Sequence, residues 1–123
     1  MTTVMIVDDE PDIRRLVSFS LERHGLEVIE AVDGLSACAV AEAEMPDLIL
    51  MDVMMPLMNG FEASKRIKEN PATAHIPILM LSAKSQVYEQ EQGLESGALE
   101  YITKPFTPAQ LVEQVTSHLS GKG

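Results

Sequence analysis

Five short apolar runs punctuate the chain, and each is followed by a stretch whose apolar residues recur at helical spacing. Val4-Met5-Ile6-Val7, Leu48-Ile49-Leu50-Met51 and Ile78-Leu79-Met80-Leu81 are nearly unbroken, the pattern of strands covered on both faces. Two further runs, at residues 27–30 and 100–102, are shorter and more polar, as edge strands tend to be. The predicted strands are therefore residues 3–7, 27–30, 48–51, 78–81 and 100–102.

Predicted helices fill the intervals. The first begins near Pro11, which suits an early helical position. Ile13, Leu16, Val17 and Leu21 form its buried stripe, and Gly25 ends it. The second, residues 34–44, is expected to bury Leu35, Cys38 and Ala39. The third is capped by Asn59, buries Phe61, Ser64 and Ile67, and stops before Asn70-Pro71. The fourth, residues 86–96, has only Val87 and Leu94 as a stripe, with Tyr88 at its edge and Glu89, Glu91 and Glu95 on its polar face. It is expected to be among the less stable elements. The last runs from Thr107, with Pro108 at its first position, through Leu111, Val112, Val115 and Leu119.

Strands alternating with helices predict an α/β fold built on a parallel sheet. The 123 residues suit one domain, residues 1–123, with a single core. In an open parallel sheet the carboxyl ends of the strands share one edge, and ligands bind there. Asp8-Asp9 follow the first run, Asp52 the third, Ser82 the fourth, and Lys104 lies just beyond the fifth. Three crowded carboxylates repel one another unless a cation joins them. Their hard oxygens suit Mg2+, which keeps positions open for phosphate oxygens. Lys104 and Ser82 can hold other oxygens, so the chemistry implied is phosphoryl transfer.

Charge and composition narrow the picture. Nine basic and nineteen acidic residues give a net charge of −10, which argues against an extended phosphate-binding surface and hence against direct nucleic-acid binding. No apolar run reaches the roughly 18–20 residues that span a bilayer, and the first run is too short, and lacks the basic flank, for a signal peptide. The one cysteine, Cys38, cannot form an internal disulfide and is expected to pack as a small apolar residue in a reducing, cytoplasmic setting. His24, His75 and His118 share no metal-ligand spacing.

Four stretches together resemble the receiver domain of two-component response regulators: Ile6-Val7-Asp8-Asp9-Glu10, Asp52-Val53-Met54-Met55-Pro56-Leu57-Met58-Asn59-Gly60, Leu81-Ser82-Ala83-Lys84, and Gly97-Ala98-Leu99-Glu100-Tyr101-Ile102-Thr103-Lys104-Pro105-Phe106. The resemblance runs from about Val4 to Leu119. It implies a flavodoxin-like, doubly wound, five-stranded sheet in the order 2-1-3-4-5. It makes Asp52 the acceptor of a phosphoryl group, since a carboxylate can attack phosphorus and form an acyl phosphate. The donor implied is a phosphohistidine on a sensor histidine kinase or histidine phosphotransfer protein. The metal shell implied is Asp9, Asp52 and the Met54 carbonyl, with Asp8 acting partly through water. Lys104 would pair with a phosphoryl oxygen, Ser82 would bond another, and Tyr101 would swing inward and shift the face made by the fourth helix, fifth strand and fifth helix. Gly60 and Gly97 are expected at turns or close contacts, and Lys104-Pro105 as a cis bond.

Met54 and Lys84 should flank the path of a hydrolytic water; Met54 offers no strong donor or acceptor to orient one and Lys84 is bulky, so a long-lived phosphoryl group is expected. The output face is acidic, and Ala109-Gln110 stand where an Arg would be sought for pairing with a second copy. A monomer acting on an unknown protein target is therefore expected. The chain ends after the fifth helix, without an effector, as a stand-alone regulator or an excised receiver. The loop at residues 70–77 is similar to loops of stand-alone and phosphorelay receivers.

Two other classes compete. An aspartyl-phosphate-type Mg-dependent phosphatase also uses an Asp nucleophile, but it usually carries a second Asp two residues on, where Met54 stands. A flavin-binding protein would need a hydroxyl- and glycine-rich phosphate loop after the first strand. Asp8-Asp9-Glu10-Pro11 would repel a phosphate there, and a P-loop nucleotide enzyme is also unsupported because no GxxxxGK loop is present.

Overall fold

A computed structural model describes residues 2–83 and 99–120. In chain order the elements are β1 (Thr3–Val7), α1 (Pro11–Glu22), β2 (Glu27–Ala31), α2 (Gly34–Glu44), β3 (Leu48–Asp52), α3 (Gly60–Glu69), β4 (Ile78–Ala83), β5 (Glu100–Lys104) and a C-terminal helix (Pro108–Ser120). The strands form one parallel sheet in the order β2-β1-β3-β4-β5. This is the flavodoxin-like order expected, with the two polar strands at the edges. The predicted helix at 86–96, with Tyr88, Val87 and Leu94, lies outside the described residues, as do Lys84 and Gly97.

Alternation along the strands divides the core into two layers. Val4, Ile6, Leu48, Leu50, Leu79 and Leu81 face Val17 and Leu21 of α1 and Leu111 and Val115 of the C-terminal helix. Met5, Val7, Ile49, Met51, Ile78 and Met80 face Ala37 and Ala41 of α2 and Phe61, Ala63 and Ile67 of α3. The strands that read as unbroken apolar runs are thus buried on both sides, as their sequence requires.

Helix ends follow local chemistry. Asp33 and Ser36 close a capping box on α2, and Asn59 and Glu62 close one on α3. Thr107 and Gln110 exchange the same pair of bonds at the start of the C-terminal helix. Gly25 adopts a φ of +80° just after α1, as its place in the sequence predicts.

Two expectations are corrected. α2 does not bury Leu35 and Ala39, which are exposed; it buries Gly34, Ala37 and Ala41, with Cys38 half-buried. Eight of the eleven positions of α2 are glycine or apolar, so periodicity marks no single face. The close approach to α3 selects the smallest residues: a Cβ on Gly34 would come within 2.9 Å of Met58. The strand ends also run further than predicted, so Asp52, Ser82 and Lys104 belong to the strands rather than following them.

Candidate functional site at the carboxyl edge of the sheet

Sheet register carries the predicted residues to one place. Val7 pairs with Met51 and Asp52 with Leu81, so Asp8 and Ser82 each lie one residue beyond a paired position beside Asp52. Ser82 in turn pairs with Thr103, and Ala83 with Lys104. Asp8, Asp52 and Ser82 are buried, while Asp9 is exposed at the rim. Carboxylate oxygens of Asp8, Asp9 and Asp52 lie within 4.8 Å of one another. Lys104 Nζ donates to Asp8 Oδ2 at 3.0 Å and to Asp52 Oδ1 at 3.2 Å.

Three carboxylates and one ammonium leave a net negative pocket walled by apolar strands. Burial pushes the Asp52 carboxyl up to about 6; the Lys104 ammonium and the Met54 amide oppose this, and the neighbouring Asp8 adds to it. For Lys104, burial acts to lower the ammonium, but Asp52 and Asp8 outweigh it and the net shift is upward. Such a set of hard oxygen donors, short of positive charge, fits a divalent cation.

The backbone around Asp52 is built to close limits. A Cβ on Gly60 would sit 2.2 Å from the Asp52 carbonyl oxygen, and the Gly60 amide donates to Val53 O at 2.9 Å. Only glycine lets α3 start against the end of β3. The Lys104-Pro105 bond is cis, as expected. Met54 is 59% exposed in the loop after β3. Tyr101 is half-buried on β5 and packs against the methionine-bearing layer of the core.

Arg14 was not foreseen from the sequence. Its Nη1 donates to the Asp8 carbonyl at 2.8 Å, and its Nε pairs with Glu30 at 2.9 Å. It ties the β1–α1 turn to β2 and so positions Asp8, whose Oδ1 accepts from the Glu10 amide. The only signal in the sequence is an arginine one turn into a helix that opens with acids.

The structure is thus an open parallel sheet carrying three clustered carboxylates and a bridging lysine at its carboxyl edge, and sequence comparison gives the family. The chain belongs to the response regulator receiver domains, which it matches over residues 4–116. Members of this family are phosphorylation-based signalling switches, and histidine kinases phosphorylate them. The chain is 45% identical over 121 residues to the phosphate regulon transcriptional regulatory protein PhoB of Pseudomonas aeruginosa, covering 98% of this chain and 53% of PhoB. It is 42% identical over 119 residues to the DNA-binding dual master transcriptional regulator RpaA of Synechocystis, covering 97% of this chain and 49% of RpaA. It thus spans about half the length of those regulators. Protein PilH of P. aeruginosa is 35% identical over 121 residues, with 98% of this chain and all of PilH covered. The chemotaxis protein CheY4 of Vibrio cholerae superposes with a TM-score of 0.90 at 37% identity, covering 95% of this chain and 98% of CheY4. Among the described residues no helix is long and apolar enough to cross a membrane.

Proposed function

We propose that Asp52 accepts a phosphoryl group from a phosphohistidine on a sensor histidine kinase or histidine phosphotransfer protein. The observation that carries this is the cluster of Asp8, Asp9 and Asp52 carboxylates with Lys104 bridging two of them. An Asp52 carboxylate oxygen attacks phosphorus, the P–N bond breaks, and the imidazole leaves with its electron pair and takes up a proton. Asp8, Asp9, Asp52 and the Met54 carbonyl would hold Mg2+, which supplies charge neutralisation for phosphoryl transfer. Lys104 already spans the pocket and can follow a phosphoryl oxygen without leaving Asp8. Ser82, at the end of the neighbouring strand, can bond another oxygen. Tyr101 then reports the change at the β5 face.

This makes the chain, residues 1–123, one receiver domain: a cytoplasmic switch that catalyses its own phosphorylation and dephosphorylation, rather than an enzyme acting on a separate substrate. Met54 in place of a second acid disfavours the phosphatase reading. Gln110 is engaged in its helix cap, Ala109 offers no charge and Glu113 is exposed. This supports a phosphorylated chain that stays monomeric and acts on a different protein. Incubation with acetyl phosphate and Mg2+ tests the acceptor. The wild-type chain should gain one covalent phosphoryl group, and Asp52→Asn none. Stoichiometric labelling of Asp52→Asn at the same site would overturn the assignment.

A further inference from the structure

Leu57 is 91% exposed, the most exposed large apolar residue among those described, and its φ is +70°. That is the left-handed region, which residues other than glycine and asparagine rarely adopt. The Met58 amide donates to the Pro56 carbonyl at 2.8 Å, closing a γ-turn centred on Leu57. Glycine or asparagine would make this turn with less strain, and a leucine there packs against nothing that hides it. The chemistry of the turn and the burial of apolar surface therefore both argue against leucine at this position.

The turn is held firmly beside the acceptor. Met55 and Met58 on either side of it are buried in the core. Met58 presses on Gly34 at the start of α2, and Gly60 is locked against Asp52. Leu57 is thus a rigidly mounted apolar point on the edge that any phosphoryl donor must approach. Met54, also exposed, shares its loop, and Val32 and Leu35, both exposed, flank Gly34.

The same edge is acidic. Asp9, Glu10, Asp12 and Glu62 are exposed, and Asp33 is half-buried. The described cations there are engaged: Lys104 lies between Asp8 and Asp52, Arg14 pairs with Glu30, and Arg15 stands 3.5 Å from Asp12. A surface that fits this edge offers an apolar socket ringed by Lys or Arg.

We propose that Leu57 is the anchor by which a protein phosphodonor docks beside Asp52, its side chain entering an apolar socket ringed by basic residues on that partner. This rests on the acceptor reading given above and names the partner chemistry at the same edge. A small donor such as acetyl phosphate has no such socket, so the two kinds of donor separate the docking role from the chemistry.

The test uses the full chain and its Leu57→Asn and Leu57→Gly variants, both compatible with the turn, with folding verified by circular dichroism. Each is phosphorylated by acetyl phosphate with Mg2+, and by a purified transmitter domain bearing phosphohistidine, chosen from a panel for labelling the wild-type chain. The ratio of the protein-donor kcat/KM to the acetyl phosphate rate should fall about tenfold in both variants, which corresponds to about 1.4 kcal/mol. The loss should lie in KM rather than kcat, and the protein-donor rate should fall as salt is raised. A ratio unchanged in both variants, a loss confined to kcat, or a salt-independent rate would overturn the proposal, as would a wild-type chain that no phosphohistidine protein labels. Failure of acetyl phosphate to label wild-type Asp52 would instead remove the acceptor reading.

Discussion

The middle of the sheet and its carboxyl edge are made from the same strands but follow opposite chemical rules. In the middle, Leu50 lies among Val4, Ile6, Leu48, Leu79 and Leu81, all buried and apolar. Two residues further along β3, Asp52 lies buried beside Asp8 with one ammonium between them, and the loop beyond it holds a leucine out to solvent on a strained turn. The middle gains free energy from every residue it buries. The edge contains charges and a backbone geometry that would not persist alone, and it persists because the strands behind it are fixed. Stability and function are therefore expected to respond in opposite directions to substitution in the two regions.

The largest effect should come from the middle. Leu50→Ala removes a fully buried side chain from a packed apolar layer, and should lower the unfolding free energy by about 3 kcal/mol. Urea titration measures this, and the folded fraction should still label at Asp52. Loss of labelling in fully folded protein would break the separation of the two regions.

At the edge, the sign should reverse. Asp9→Asn removes one of three mutually repelling carboxylates, so the metal-free protein should be at least as stable as the wild type. The rise in Tm on adding Mg2+ should shrink markedly. An undiminished rise would show that Asp9 is not a ligand.

A pH series sharpens the comparison further. Asp52 titrates near 4 in the unfolded chain and at about 6 in the folded one, because burial disfavours its charge. Between those values the folded state holds a proton that the unfolded chain releases. The metal-free wild type should therefore lose stability as pH rises from about 4 to 6, and change little above that on this account. Asp52→Asn lacks the group, so its advantage over wild type should grow across that interval. Melts in EDTA at pH 4, 5, 6 and 7 measure the difference, and a constant gap would contradict a raised Asp52.

The smallest effect concerns the strained turn. Leu57→Gly relieves a positive φ that costs a side chain about 1–2 kcal/mol, and adds the entropy of glycine, about 0.5–1 kcal/mol. The net should be a gain of about 0.5 kcal/mol, read from the urea midpoint. A loss would mean that Leu57 makes a stabilising contact within the chain.

Much of this was legible in the sequence because its signals are local and redundant. Unbroken apolar runs specified three strands buried on both faces, polar runs marked β2 and β5 as edges, and Asn59 and Pro108 marked helix starts. The strand-end positions of Asp8, Asp9, Asp52, Ser82 and Lys104 followed from the same pattern, and their meeting required only that the sheet be parallel. The buried face of α2 was not legible, because a helix of alanines and other apolar residues carries no moment to orient it. Packing against Met58 and α3 chose Gly34, Ala37 and Ala41 instead.

What the sequence determined by itself is the order of elements and which chemical groups stand at the strand ends, since strand and helix periodicities act over a few residues. Tertiary structure alone decided the distances: Lys104 reaching both Asp8 and Asp52, Arg14 bracing the Asp8 carbonyl, Gly60 meeting the Asp52 backbone, and Leu57 forced past φ = 0. These depend on residues 6 to 96 positions apart and on the loops between them. The physical reason is that a loop's path is set by the elements it must join and by the atoms it must pass, and neither is encoded in the loop's own periodicity.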